Sequence, residues 1–192
     1  MKKNYFLFFF CLVLVSFYSY VFYLALHPKV SAEYDLYYIQ KKLRHWSNGS
    51  GLDYQRGHKV VFSDNVSYVS RAGWSYPEKF GTWSDGDVAE LFIKSDIKLS
   101  EIELEISPFL VPDMGLKEQI ISFYVNGFEI DHKVLNINDS VVLRIKIPQS
   151  IPLESNFYIF KFEYPNAVSP LNLGISNDSR KLAFAYNYIK FN

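Results

Sequence analysis

From Lys59 to the C-terminus the chain is a succession of short segments with strand-type patterning, and no helical run separates them. KVVF (59–62), VSYVS (66–70), VAELFIK (88–94), EIELEIS (101–107), IISFYVNG (120–127) and FEIDHKVLNI (128–137) come first. SVVLRIKIP (140–148), NFYIFKFEY (156–164) and the closing LAFAYNYIKFN (182–192) complete the series. In EIELEIS, Ile102, Leu104 and Ile106 alternate with Glu101, Glu103 and Glu105, which gives a strand one apolar and one wet face. Asn126-Gly127 is a two-residue hairpin signal, because both residues tolerate positive φ. Parallel strands would need crossover connections of roughly a dozen residues or more, usually helices, and the pattern leaves no room for them. The expected fold is all-β: an antiparallel, jelly-roll-like β-sandwich over about residues 57–192.

What precedes that body is different in kind. Tyr5–Leu26 reads YFLFFFCLVLVSFYSYVFYLAL, without a charge, and roughly 20 apolar residues suffice to cross a bilayer as a helix. Lys2 and Lys3 favour a cytoplasmic N-terminus, and Pro28 ends the helix. A cleaved signal peptide is the competing reading, with Val30-Ser31-Ala32 as the small-residue cleavage site. The apolar run exceeds the usual signal core of about 7–15 residues, which favours a retained anchor over 1–28. Residues 29–56 then form a juxtamembrane stretch. Leu36, Ile39, Leu43 and Trp46 in it follow helical spacing, so a short helix is expected over about 34–45, followed by a glycine-rich loop. Both readings of the N-terminus put the folded domain outside the cytoplasmic membrane.

Composition removes several kinds of function. With 20 basic and 20 acidic side chains the net charge is zero, so no electrostatic field draws nucleic acid to it. The single cysteine, Cys11, lies in the apolar run, which leaves the domain without a disulfide, a thiol nucleophile or a cysteine-held metal. The four histidines have no ligand spacing. Neither a G-x-S-x-G elbow nor a glycine-rich phosphate loop occurs. No cofactor, metal or catalytic residue is expected. Glu78 and Asp85 could serve as a glycosidase pair only in the sense that both are carboxylates.

The densest run of special residues is Gly73–Leu91, GWSYPEKFGTWSDGDVAEL. Two tryptophans and a Pro-Glu pair sit between glycine-punctuated turns, and a bent corner of the sandwich is expected there. Trp74 and Trp83 are each either core residues or flat platforms for the apolar face of a sugar ring. Asp85-Gly86-Asp87 could offer oxygens to calcium, though a plain Asp-Gly turn accounts for it. A second run, SPLNLGISNDSRKLAFA (169–185), leads into the last strand. In it Arg180 is expected to pair with Glu78 or Asp178 and so clasp the final loop to the tryptophan corner. Such a clasp can be purely architectural, or can border a shallow site in which Glu78, Asp85 and Arg180 bond sugar hydroxyls.

The two runs together resemble a bacterial β-sandwich domain family of uncharacterised function. It occurs as an extracytoplasmic module on O-antigen glucosyltransferase-like and phosphoglycerol-transferase-like membrane proteins. Gly73, Trp74, Pro77, Glu78, Gly81, Trp83, Ser84, Gly86, Ala89 and Leu91 match its first motif. Ser169, Pro170, Leu173, Gly174, Ser176, Asp178, Arg180 and Leu182 match its second. The resemblance implies a single-pass protein of the bacterial inner membrane, with its C-terminal domain in the periplasm. It also implies a role in assembling or modifying surface polysaccharide such as O-antigen. The implied partner is a cell-surface glycan or glycan–lipid precursor, met by Trp74, Glu78, Trp83, Asp85, Asp178 and Arg180. The alternative is a non-catalytic module docking on a polytopic membrane glycosyltransferase or flippase.

Overall fold

The structure is a computed structural model that describes residues 2–27, 34, 54–63, 72–153 and 157–192. The expected juxtamembrane helix, Tyr34 apart, and the VSYVS segment lie outside these residues. Helix α1 spans Lys2–Leu26, and its stretch Phe8–Leu26 is long and apolar enough to cross a membrane or to serve as a signal sequence. It is apolar on every side, which suits lipid contact and leaves no polar face for a globular surface.

Among the described residues, nine strands build two antiparallel sheets. β1 (Lys59–Val61), β2 (Thr82–Trp83), β4 (Glu101–Pro108), β7 (Val141–Lys146) and β9 (Phe184–Phe191) form one, in the order β1-β9-β4-β7 with β2 also paired to β9. β3 (Val88–Lys94), β5 (Gln119–Val125), β6 (Phe128–Leu135) and β8 (Phe157–Glu163) form the other, in the order β3-β8-β5-β6. This is the expected β-sandwich. Alternation fixes its faces: Ile102, Leu104 and Ile106 are fully buried while Glu101, Glu103 and Glu105, alternating with them, face outward. Asn126 (φ 50°) and Gly127 (φ 86°) turn β5 into β6 as the sequence requires. The Asn126 side chain also reaches β8, accepting from Ile159 N at 2.8 Å.

Aromatic rings fill the space between the sheets. Phe62, Phe123, Phe160, Phe162, Phe184, Phe191, Tyr158, Tyr164 and Tyr186 are all buried there, each worth roughly 1.5–3 kcal/mol of burial for a ring of phenylalanine size. Two of these tyrosines bring hydroxyls into the core, and they satisfy each other at 2.7 Å. Burial pushes both phenols well above their ordinary range. The packing reaches back to Tyr54, whose hydroxyl accepts from Phe191 N at 2.8 Å.

Candidate functional site

The Gly73–Leu91 run folds into a hairpin laid across one end of the sandwich. Glu78 and Gly81 exchange backbone bonds of 2.7 and 3.1 Å around the two-residue tip Lys79-Phe80, and Trp74 is bridged to Ser84 further down. Two glycines let it lie so close. A Cβ on Gly81 (φ +139°) would stand 1.9 Å from the Tyr186 carbonyl oxygen of β9. One on Gly73 (φ +79°) would stand 1.9 Å from that of Val88 in β3. The hairpin is thereby pressed against β9 of one sheet and β3 of the other, at positions only glycine can occupy.

Its two tryptophans have different fates. Trp74 points inward: it is 8% exposed, 4.8 Å from the rings of both Phe62 and Tyr186, and donates its indole N–H to Glu90 O at 2.9 Å. Thr82 and Ser84 are buried with it. Trp83 is on the outward side, half-buried, with Phe80 and Phe109 in edge contact at 6.0 and 5.9 Å. Tyr76 and Phe80 at the tip are 63% and 48% exposed. Neither was singled out from sequence, although both flank the Pro-Glu pair in the run that was.

Ser84 begins the seam to the C-terminal run. Its hydroxyl accepts from Ala183 N and Phe184 N at 3.2 and 3.1 Å. Gly86 N donates to Lys181 O at 2.9 Å, Asp85 Oδ1 accepts from Lys181 N at 3.1 Å, and Lys181 Nζ pairs with Asp87 at 2.8 Å. Asp85 and Asp87 therefore hold the loop. Among the described residues, no group of three or more histidine, cysteine or acidic side chains is placed to hold a metal ion.

Arg180 then closes the corner with both expected partners. Its Nε and Nη2 take Asp178 in a two-pronged pairing at 3.1 and 2.7 Å, and Nη1 reaches across to Ser75 Oγ at 2.6 Å and Glu78 Oε1 at 3.3 Å. The exposed Tyr76 ring lies 4.9 Å from the guanidinium carbon, within cation–π range. Arg180's bonds, joined by its own backbone N–H to Asp178 Oδ1, hold the Asp178 carboxyl below its ordinary range. The same pairing raises the guanidinium further. Trp83, Glu78, Asp85, Asp178 and Arg180 are thus gathered at one end of the sandwich, whereas Trp74 lies beneath them in the core.

The class this architecture defines is an antiparallel β-sandwich carrying an N-terminal apolar helix. No protein-family model and no curated protein sequence matches the chain. Among solved structures it is similar to the carbohydrate-binding module CBM36 in complex with calcium and xylotriose, at 10% identity and a TM-score of 0.41, over 70% of this chain and 99% of that one. An acetyl xylan esterase from Butyrivibrio proteoclasticus, Est2A, aligns at 12% identity and a TM-score of 0.44, over 72% of this chain and 34% of that one. A family 35 carbohydrate-binding module from an environmental isolate aligns at 13% identity and 0.38, over 75% and 89%.

Proposed function

We propose that the protein is a membrane-anchored, periplasmic accessory domain that binds glycan at the Trp83–Arg180 corner and serves the assembly or modification of a surface polysaccharide such as O-antigen. The observation that carries the reading is the pairing of chemistries at that corner. A half-buried indole and the exposed rings of Tyr76 and Phe80 stand beside a hydrogen-bonded cluster of Ser75, Glu78, Asp178 and Arg180. Sugars present an apolar C–H face and a rim of hydroxyls, and this surface offers partners for both. Asp178 does not suit the part of a general acid. A general acid needs a carboxyl pushed upward, and Asp178 is shifted the other way.

The inner-membrane and periplasmic assignments rest on α1 and on the motif resemblance. Strand β1 meets β9 at Lys59 and Lys190, so the chain arrives at the end of β9 remote from Phe184 and the corner. With a rise of about 3.3 Å per residue, β9 separates those ends by roughly 20 Å.

One observation favours the docking alternative. Tyr76, Phe80, Leu171 and Ile175 are exposed apolar side chains of the same hairpin and loop, as a protein partner would use. Titrating the full chain in detergent micelles with lipopolysaccharide-derived oligosaccharides tests the first reading by tryptophan fluorescence. Saturable quenching that Trp83→Ala abolishes supports it. Absence of binding to every oligosaccharide, with co-purification of a polytopic transferase that Phe80→Asp disrupts, supports docking instead.

A further inference from the structure

Arg180 is the group at this corner that an acidic sugar would seek, and the fold already occupies it. A guanidinium has five N–H donors and grips a carboxylate or phosphate through two of them in parallel. Here Nε and one Nη2 hydrogen lie on Asp178, while Nη1 serves Ser75 at 2.6 Å and Glu78 at 3.3 Å. The one Nη2 hydrogen left over cannot form a parallel pair. The Tyr76 ring also stands against the guanidinium, 4.9 Å from its carbon.

What stays open at the cluster suits a hydroxyl and not an acid group. Two carboxylates against one guanidinium leave it a net negative charge, and Arg180's bonds keep Asp178 ionised by holding its carboxyl below the ordinary range. Glu78 Oε2 accepts from no described residue, and the Glu78 side chain is 29% exposed. Beside it the Ser75 hydroxyl accepts from Arg180 and keeps its own hydrogen to donate. Lys181 is taken by Asp87 at 2.8 Å. Lys79 at the tip pairs with no described residue, but an exposed ammonium is a hydrated point charge without the fork that orients an acid group. Across residues 73–87 and 169–182, four acidic side chains stand against three basic ones. We infer that the corner takes uncharged sugars and turns away those bearing carboxylate or phosphate: a sugar hydroxyl donates to Glu78 Oε2 and accepts from Ser75 Oγ, with the Trp83 indole as the apolar platform. This rests on the glycan reading above and adds the substrate class to it.

Matched pairs of ligands test this on the full chain in detergent micelles. Each pair is a gluco-, galacto- or manno-oligosaccharide and the same oligosaccharide oxidised at C6 to the uronic acid. Quenching of tryptophan emission gives the dissociation constants, with Trp83→Ala as the control for the site. The neutral member of at least one pair should bind about ten-fold more tightly than its uronate at about 20 mM salt, and the gap should close to about three-fold at about 500 mM. Glu78→Gln removes the excess negative charge and should narrow the low-salt gap to about three-fold as well. A uronate bound as tightly as its neutral parent overturns the inference and leaves the glycan reading standing. A gap that salt leaves unchanged, or that a folded Glu78→Gln variant keeps, does the same. Quenching by no pair, or quenching that Trp83→Ala retains, removes the glycan reading itself, and the inference falls with it.

Discussion

Arg180 Nη1 stands 3.3 Å from Glu78 Oε1 across 102 residues of chain, and the same guanidinium holds Asp178 at 2.7 Å. The C-terminal loop thus ends in a cation that three partners from two distant segments share. Backbone bonds, the Ser84 hydroxyl, the Asp85 carboxylate and the Lys181–Asp87 pair join loop and run nearer the sheets, whereas the Arg180 cluster is what reaches Ser75 and Glu78 toward the hairpin tip.

Arg180→Lys is accordingly not a conservative change. A lysine ammonium cannot reproduce the two-pronged grip on Asp178 while reaching Ser75 and Glu78. The cluster is partly solvated, with side chains 21–29% exposed, so screening reduces what it contributes. Loss of roughly 1–2 kcal/mol is expected, measured by denaturant unfolding followed through tryptophan emission. A variant within experimental error of the parent would show that the clasp adds nothing to the fold.

The same cluster predicts a pH dependence. Asp178 has a folded-state pKa depressed below the ordinary value of 3.8, chiefly by its bonds from Arg180. The folded state therefore binds fewer protons than the unfolded chain. Its stabilising contribution is complete above the unfolded pKa and disappears as pH falls through the folded one. Unfolding free energy should decline below about pH 4 less steeply in Asp178→Asn than in the parent. Glu103 and Glu163 are also depressed, by Arg144 and Lys161 respectively, so some acid sensitivity should persist in the variant.

Much of this architecture is legible from residues alone, because β4 alternates strictly and Asn126-Gly127 admits one kind of turn. The Arg180 clasp is legible too, since few charged residues stand in turn-rich surroundings. The division of labour between the tryptophans is not. Extending the pairing from the Glu78–Gly81 tip would place Trp74 opposite Asp85, and Tyr76 opposite Trp83. The structure pairs Trp74 with Ser84 instead, a slip of one residue within the hairpin. A slip of one exchanges faces, which sends Trp83 outward and Trp74 inward. The VAELFIK segment misleads in another way. Phe92 looks like one more core residue, but alternation puts it on the outer face.

Glycine positions give a graded test of the hairpin's close approach. Gly81→Ala forces a Cβ against the Tyr186 carbonyl oxygen, a backbone atom that cannot swing aside without parting β2 from β9. A loss of roughly 3 kcal/mol is expected, combining strain at positive φ with overpacking. Gly115 also has positive φ, yet nothing lies within 4 Å of its added Cβ. Gly115→Ala should cost only about 1 kcal/mol, the conformational part alone. Equal losses in thermal unfolding of the two variants would contradict the close-approach explanation.

Trp74 and Trp83 should separate stability from binding. Trp74 gives its N–H to Glu90 O and packs on Phe62, Tyr186 and Phe162, so Trp74→Ala opens a cavity and orphans a buried acceptor. Roughly 3–5 kcal/mol should be lost. Trp83 is half-buried on the outer side, and its truncation removes less enclosed surface. Trp83→Ala should therefore unfold within about 1–2 kcal/mol of the parent. If the corner binds glycan, that variant alone combines near-parental stability with loss of oligosaccharide quenching. Were Trp83→Ala to unfold as readily as Trp74→Ala, the outer indole would be part of the core as well, and the corner would lose its one aromatic platform set between sheet and solvent.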